Sequence, residues 1–214
     1  EVRAFAERRN IAPPAPVDLV VHSAFNPNRD PVQFQGVVSL IGHISILSII
    51  LTGAALIRER EHGTIEHLLA MPISPLEVAL AKIWANAAVV LAASAISTAV
   101  ILEGILGVTF AGSRALFSFG TTLYLFSAAA LGVFLATLAR SMAQFALLFF
   151  LVILPMQMLS GADTPIDNQP EWLQPLTQLL PSRHFVSFGQ AIVFKGAGLP
   201  IVWRQFAILA GLGL

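Results

Sequence analysis

Apolar residues in this chain come in long runs separated by short polar connections, and one connection is itself patterned. Gly36 to Ile57 runs apolar, with His43 as its one ionisable side chain. Ile83 to Leu102 follows, closed by Glu103 and Gly104. Only uncharged residues lie between Arg114 and Arg140, and again between Arg140 and Asp163. A helix crosses the hydrocarbon core of a bilayer in roughly 20 apolar residues. Four complete spans are therefore predicted, at about 36–57, 83–103, 115–139 and 142–160. Pro155 predicts a kink near the outer end of the fourth. A fifth run starts near Ile201, and its Gln205 to Leu214 part covers about 15 Å at 1.5 Å per residue, half a helix.

The patterned connection runs from Arg58 to Lys82 and holds Arg58, Glu59, Arg60, Glu61, Glu66, Glu77 and Lys82. The first span should continue past the membrane through Arg58-Glu59-Arg60-Glu61, with Arg58 and Glu61 placed to pair at i, i+3. Gly63 is a natural end, free to turn left-handed. Thr64 can cap a new helix whose Ile65, Leu68 and Leu69 share a face, and Met71-Pro72 stops it. Ser74-Pro75-Leu76-Glu77 is a capping box with proline at the first helical position. From Pro75 the helix can run unbroken into the second span. The result is a short transverse helix framed by two helices that enter the membrane.

Composition agrees with this picture and removes several functions. Of 214 residues, 56% are hydrophobic and 11% charged, where an ordinary soluble domain is about a quarter charged. This is an all-α polytopic membrane protein. A formal net charge of +0 argues against nucleic acid as a partner. With no cysteine, disulfides, thiol chemistry and thiolate metal sites are excluded. Starting at Glu1 without a leader and stopping at Leu214 inside an apolar run, the sequence reads as a fragment of a longer protein.

Four crossings put the Arg58–Lys82 hairpin and the turn at Arg140 on one side. The start of the chain, the Gly107–Arg114 turn and the Gly161–Pro200 segment fall on the other. Arg58, Arg60, Lys82 and Arg140 lie on the hairpin side, against Arg3, Arg8, Arg9, Arg29, Arg114, Arg183, Lys195 and Arg204 opposite. By that count the positive-inside rule would put the hairpin outside.

No Asp, Glu, Lys or Arg lies in the middle of a span, which argues against an ion-coupled carrier or pump. Small residues are abundant instead. Ala128, Gly132 and Ala136 at four-residue spacing permit close helix approach, for packing within the chain or at a subunit seam. His43 is either a hydrogen-bonded packing residue or a substrate contact. Phe117, Phe119, Phe126, Phe145, Phe149 and Phe150 offer surface for a hydrophobic compound or for lipid. In the long outer segment, Trp172, Leu173, Leu176, Leu179 and Leu180 form one apolar face. Phe185, Phe188 and Ile192 form another on a helix ending at Gly196, so two short helices are expected, lying at the surface or covering an exit path.

His62, Glu66 and His67 are spaced H-x-x-x-E-H. Five residues place the histidines about 140° apart on a helix, with Gly63 between them, which does not make a metal site. No G-x-S-x-G and no paired intramembrane carboxylates support a hydrolase. No G-x-x-x-x-G-K-[ST] occurs, so the chain does not cradle ATP phosphates. The hairpin is then either a solvated interfacial loop or a docking element.

Several residues carry a family resemblance. Arg58-Glu59-Arg60-Glu61-His62-Gly63-Thr64-Ile65-Glu66-His67-Leu68-Leu69, then Pro72-Ile73-Ser74, Glu77 and Lys82, resemble the segment after the second span of type-2 ABC exporter permeases. Phe25-Asn26-Pro27, Ser160-Gly161 with Thr164-Pro165, Pro170-Glu171-Trp172-Leu173 with Pro181, and Lys195-Gly196 agree with it. The resemblance is strongest to bacterial multidrug-type permeases with a long first extracytoplasmic segment. It implies a six-span helical bundle of which this chain holds spans two to five and part of six. Residues 1–35 would end an extracytoplasmic domain, 36–214 would form the permease domain, and 161–200 would be extracytoplasmic.

It further implies a multi-pass protein of the bacterial inner membrane that exports a hydrophobic or drug-like substrate and is not itself an enzyme. The chain would carry no cofactor, ATP and Mg being bound by an ATP-binding-cassette ATPase subunit or domain. A second permease half and a periplasmic adaptor would be further partners. Coupling to the ATPase falls on Glu59, Glu61, Gly63, Thr64, Glu66, Leu68, Leu69, Pro72, Ser74, Glu77 and Lys82. The alternative is a membrane scaffold whose hairpin docks a different protein.

Overall fold

The computed structural model describes residues 31–63, 74–162, 169–170 and 172–213, and every element among them is helical. Helix α1 spans Pro31–Glu61. Helix α2, Pro75–Ser97, passes directly into a π-helix, Thr98–Ile105. Then come α3, Arg114–Leu138, and α4, Met142–Met158. A single turn α5, Gln174–Thr177, precedes α6, Pro181–Lys195, and α7, Leu199–Leu212.

The first three long helices are long and apolar enough to cross a membrane. The 31 residues of α1 extend about 46 Å, well beyond a hydrocarbon core of roughly 30 Å, so its polar end projects past the apolar layer. By the same reasoning the first turns of α2, ahead of Ile83, stand outside that layer. With 17 residues α4 reaches only about 26 Å, and Pro155 sits within it, unable to donate a backbone bond.

The centre of the bundle is α3, which packs on α1, α2, α6 and α7. Its interface with α1 is the most extensive, and the small residues explain why. Ala128 and Ala136 are buried, and a Cβ on Gly132 would stand 2.6 Å from the Ile49 carbonyl oxygen. Backbone meets backbone there, so the four-residue spacing serves packing within the chain. Polar groups tie α3 to α1 and to α7. The Tyr124 hydroxyl donates to Ser45 Oγ at 2.6 Å, Ser48 Oγ to the Leu125 carbonyl at 3.3 Å, and Ser127 Oγ to the Leu209 carbonyl at 2.8 Å. Only 17% of the apolar window of α2 is buried, against 50% for α1 and α3, so α2 lies at the edge of the bundle.

Two features of the end that carries residues 172–198 differ from the sequence expectation. The face at 172–180 forms one four-residue turn, with Trp172, Leu176 and Leu179 exposed. Helix α6 instead drives its apolar face into the core. Phe185, Phe188 and Ile192 are fully buried, and Phe185 stacks on Tyr124 with ring centroids 4.2 Å apart. Aromatic burial of this size outweighs surface placement. Gly196 ends the helix left-handed, at φ 63°, as its position predicts.

The π-helix was not legible in the sequence. Its wider turn brings Glu103 within 2.7 Å of Arg114 Nε at the start of α3. The connection 107–113 packs on α6, where the Ala111 amide donates to the Val193 carbonyl at 2.9 Å. Ser182 Oγ donates to the Met156 carbonyl at 3.1 Å, tying α6 to the end of α4. The Gly107–Arg114 turn and the segment after α4 thus share one end of the bundle, as expected.

Candidate functional site

At the opposite end the polar frame of the hairpin forms largely as predicted. Helix α1 stops where Gly63, at φ 70°, takes the left-handed conformation, with the His62 amide donating to Arg58 at 3.0 Å. Helix α2 starts on a complete capping box. Ser74 Oγ accepts from the Glu77 amide at 3.3 Å, and Glu77 Oε2 accepts from the Ser74 amide at 2.7 Å. Those bonds from Ser74 hold the Glu77 carboxyl below its ordinary 4.5. Thr64, Glu66, Leu68, Leu69 and Pro72, the transverse helix of the sequence reading, lie outside the described residues.

Three consecutive side chains at the end of α1 reach three different helices. Glu59 pairs with Lys82 of α2, joining the two legs of the hairpin. Arg60 Nη1 donates to the carbonyls of Ala136 at 3.2 Å and Ala139 at 2.9 Å, at the C-terminus of α3. Glu61 Oε1 accepts from the Met142 amide at 2.9 Å, at the N-terminus of α4. Successive residues on a helix are about 100° apart, so three of them fan across about 200° of its circumference. The expected Arg58–Glu61 pair does not form. Arg58 Nε donates back to the Ala54 carbonyl at 3.3 Å, and Glu61 is engaged by α4.

This redistributes the predicted site. Glu59, Glu61 and Lys82 face other helices of the chain, and Gly63, Ser74 and Glu77 shape the hairpin's ends. Arg60 was not singled out by the sequence, although a signal existed. Helix α3 has no basic residue in its last turn and α4 no acidic residue in its first. Such ends leave orphan carbonyls and amides that favour opposite charge from elsewhere.

Farther along α1, His43 is exposed between two grooves. One, about 420 Å³, is lined by Gly36, Leu40 and Leu47 with Ser97 and Ile101 across from them. The other, about 150 Å³, is more polar and includes Gln35, Gln157 and Ser182. His43 Nδ1 lies 2.6 Å from the Ser39 carbonyl. A carbonyl only accepts, so Nδ1 carries the hydrogen. The histidine is thus hydrogen-bonded but not packed away. Phe117, Phe145 and Phe149 are core residues, Phe126 meets Trp84 edge to face at 5.0 Å, and Phe119 and Phe150 are exposed. Among the described residues no group of His, Cys, Asp and Glu could hold a metal ion.

Comparison with known proteins agrees with this architecture. The family model for the ABC-2 type transporter matches residues 12–194. The chain is 48% identical over its whole length to the inner membrane transport permease YhhJ of Escherichia coli (strain K12), covering 57% of that protein. It is 35% identical, over 88% of its length, to the probable multidrug ABC transporter permease YbhR of the same organism, covering 51% of it. At 24% identity, 91% of the chain aligns with 27% of ABC transporter G family member 20 of Dictyostelium discoideum. The chain thus spans about half the length of the curated bacterial relatives it matches. No solved structure matches it significantly. A bundle of apolar helices with a framed polar hairpin, matched over most of its length by that family model, identifies the chain as a member of the ABC-2 type transporter family.

Proposed function

We propose that the chain is the membrane-spanning core of an exporter permease in the bacterial inner membrane, driven by a separate or fused ATP-binding-cassette ATPase. The observation that carries this reading is the mechanical continuity of the hairpin with the bundle. Glu59, Arg60 and Glu61 bind the ends of α2, α3 and α4, so a push on the hairpin loads every one of them. A loosely tethered loop would dissipate such a push; a framed lever transmits it.

On this reading, residues 64–71 dock in a groove of the ATPase, with Glu66, Leu68 and Leu69 in contact and Thr64 and Pro72 bounding the segment. ATP and Mg bind the ATPase, and the chain contributes no catalytic group. Residues 1–35 close an extracytoplasmic domain, and a second permease half encloses the substrate path. The substrate is hydrophobic or drug-like, in keeping with the printed name of the relative YbhR, and a periplasmic adaptor receives it. The side opposite the hairpin is extracytoplasmic, against the Lys/Arg count. That rule weakens where a segment belongs to a translocated domain.

The test is co-purification of the full-length permease with an ATP-binding-cassette ATPase subunit. Replacing Thr64 to Met71 by a Gly/Ser linker should release the ATPase, while Glu66→Ala and Leu69→Ala should separate ATP hydrolysis from transport. If the linker variant retains the ATPase, or if the bound partner lacks nucleotide-binding motifs, the reading fails and a scaffold role replaces it. Single cysteines at Glu66 and Ser113, labelled from each side, check the orientation.

A further inference from the structure

We infer that Arg60 and Glu61 act together as a sign-matched clasp that makes the α3–α4 turn move with the hairpin. The inference rests on the ATP-driven reading above and adds to it the residues that carry the motion away from the docking element.

The two helix ends flanking the turn carry opposite partial charge. The last carbonyls of α3 are its negative end and the first amides of α4 its positive end. Three residues, Ala139, Arg140 and Ser141, connect them. The guanidinium of Arg60 meets the carbonyls of Ala136 and Ala139, and the carboxylate of Glu61 meets the amide of Met142. Donor meets acceptor on both sides of one turn, from adjacent positions of one helix. Interchanging the two residues would set a carboxylate against carbonyls and a guanidinium against an amide, leaving like with like on both sides.

The turn has local caps of its own. Ser141 Oγ accepts from the Gln144 amide at 3.3 Å, and Gln144 Oε1 accepts from the Arg140 amide at 2.9 Å. The Ala139 amide donates to the Leu135 carbonyl at 3.0 Å. Folding of the turn therefore does not depend on α1 alone, and what the clasp adds is a connection. Arg60 and Glu61 are positioning residues, acting on α3 and α4 and not on substrate or nucleotide. They stand on the docking hairpin while their bonds point into the chain, which separates them from residues that touch the ATPase.

The experiment uses a cysteine-free full-length permease with its ATPase subunit in inside-out vesicles. Single cysteines are placed at exposed His62, on the hairpin, or exposed Arg140, on the turn. Labelling rates with a membrane-impermeant maleimide are compared without nucleotide and after trapping with ATP and vanadate. The parent should show a several-fold change at both positions. The interchange variant R60E/E61R should keep the change at position 62 and lose it at 140. Arg60→Lys, which keeps the donor charge, should preserve both. Arg60→Gln, a milder change should the interchange impair folding, should shrink the response at 140 alone. A response at 140 in R60E/E61R equal to the parent's overturns the clasp, as does a parent that responds at 62 only. A parent that responds at neither position overturns the ATP-driven reading, and the clasp with it.

Discussion

Gly132→Ala tests the closest approach in the bundle. An added Cβ would lie 2.6 Å from the Ile49 carbonyl oxygen and 3.2 Å from the Ile49 Cα. Both atoms belong to backbone and cannot rotate aside. Ordinary contact begins at 3.4 Å, so α1 and α3 must part by about 0.8 Å to accept the methyl. Forcing a methyl into a filled core costs about 1–3 kcal/mol. Alanine's better helix propensity returns up to about 1 kcal/mol. A net loss of roughly 1–2 kcal/mol corresponds to a factor of about 5–30 in the folded-to-unfolded ratio. The same displacement stretches the Ser48–Leu125 and Tyr124–Ser45 bonds, which span that interface. Gly211→Ala is the internal control, because nothing lies within 4 Å of its added Cβ. The assay is the monodisperse fraction remaining in detergent after a series of heating steps, read by fluorescence-detected size exclusion. Gly132→Ala should fall several degrees below the parent, and Gly211→Ala should match or exceed it. If Gly132→Ala is as heat-resistant as the Gly211 variant, the close-packed α1–α3 seam is refuted.

Three further outcomes follow from other parts of the bundle. Phe185→Ala, which empties a fully buried site beside Tyr124, should cost about 3–5 kcal/mol in the same heating assay, while exposed Phe119→Ala should cost under about 0.5. Glu59→Lys and Lys82→Glu should each loosen the hairpin by about 0.2–1 kcal/mol, and the double exchange should recover most of it, as a double-mutant cycle would read. The Glu77 cap should weaken only in acid. A carboxyl held below its ordinary 4.5 stabilises the folded state fully above that value and loses this contribution as pH falls through its lower folded pKa. Protection of the Ser74 amide against hydrogen exchange, which donates to the Glu77 carboxylate, should therefore persist to below pH 4.5 in the parent, and protection of the Glu77 amide, which donates to Ser74 Oγ, should be lost at neutral pH in Ser74→Ala.

Much of this protein was legible in the sequence because the responsible physics is local. Long apolar runs have one stable answer in a bilayer, a helix that satisfies its own backbone, and the runs at 36–57, 83–103, 115–139 and 142–160 locate α1 to α4. Glycine after a polar turn ends a helix, so Gly63 and Gly196 were readable, as was the Ser74–Glu77 box. The spacing of Ala128, Gly132 and Ala136 announced a close approach, although its partner at Ile49 could not be named.

What only the tertiary structure decided is which groups meet across sequence separation. A charged side chain on a projecting helix end is compatible with water, with a partner protein or with its own neighbours, and the sequence weighs these alike. The fold resolved the choice by bringing two helix ends of opposite partial charge beside Arg60 and Glu61, and Lys82 beside Glu59. The apolar face of α6 likewise suited a membrane surface until Tyr124 and Gly120 offered it a site in the core. Sequence specified the helices and their caps because those depend on near neighbours. Their mutual packing set the roles of the polar residues, because a charge takes its meaning from whatever the fold places within a few ångströms of it.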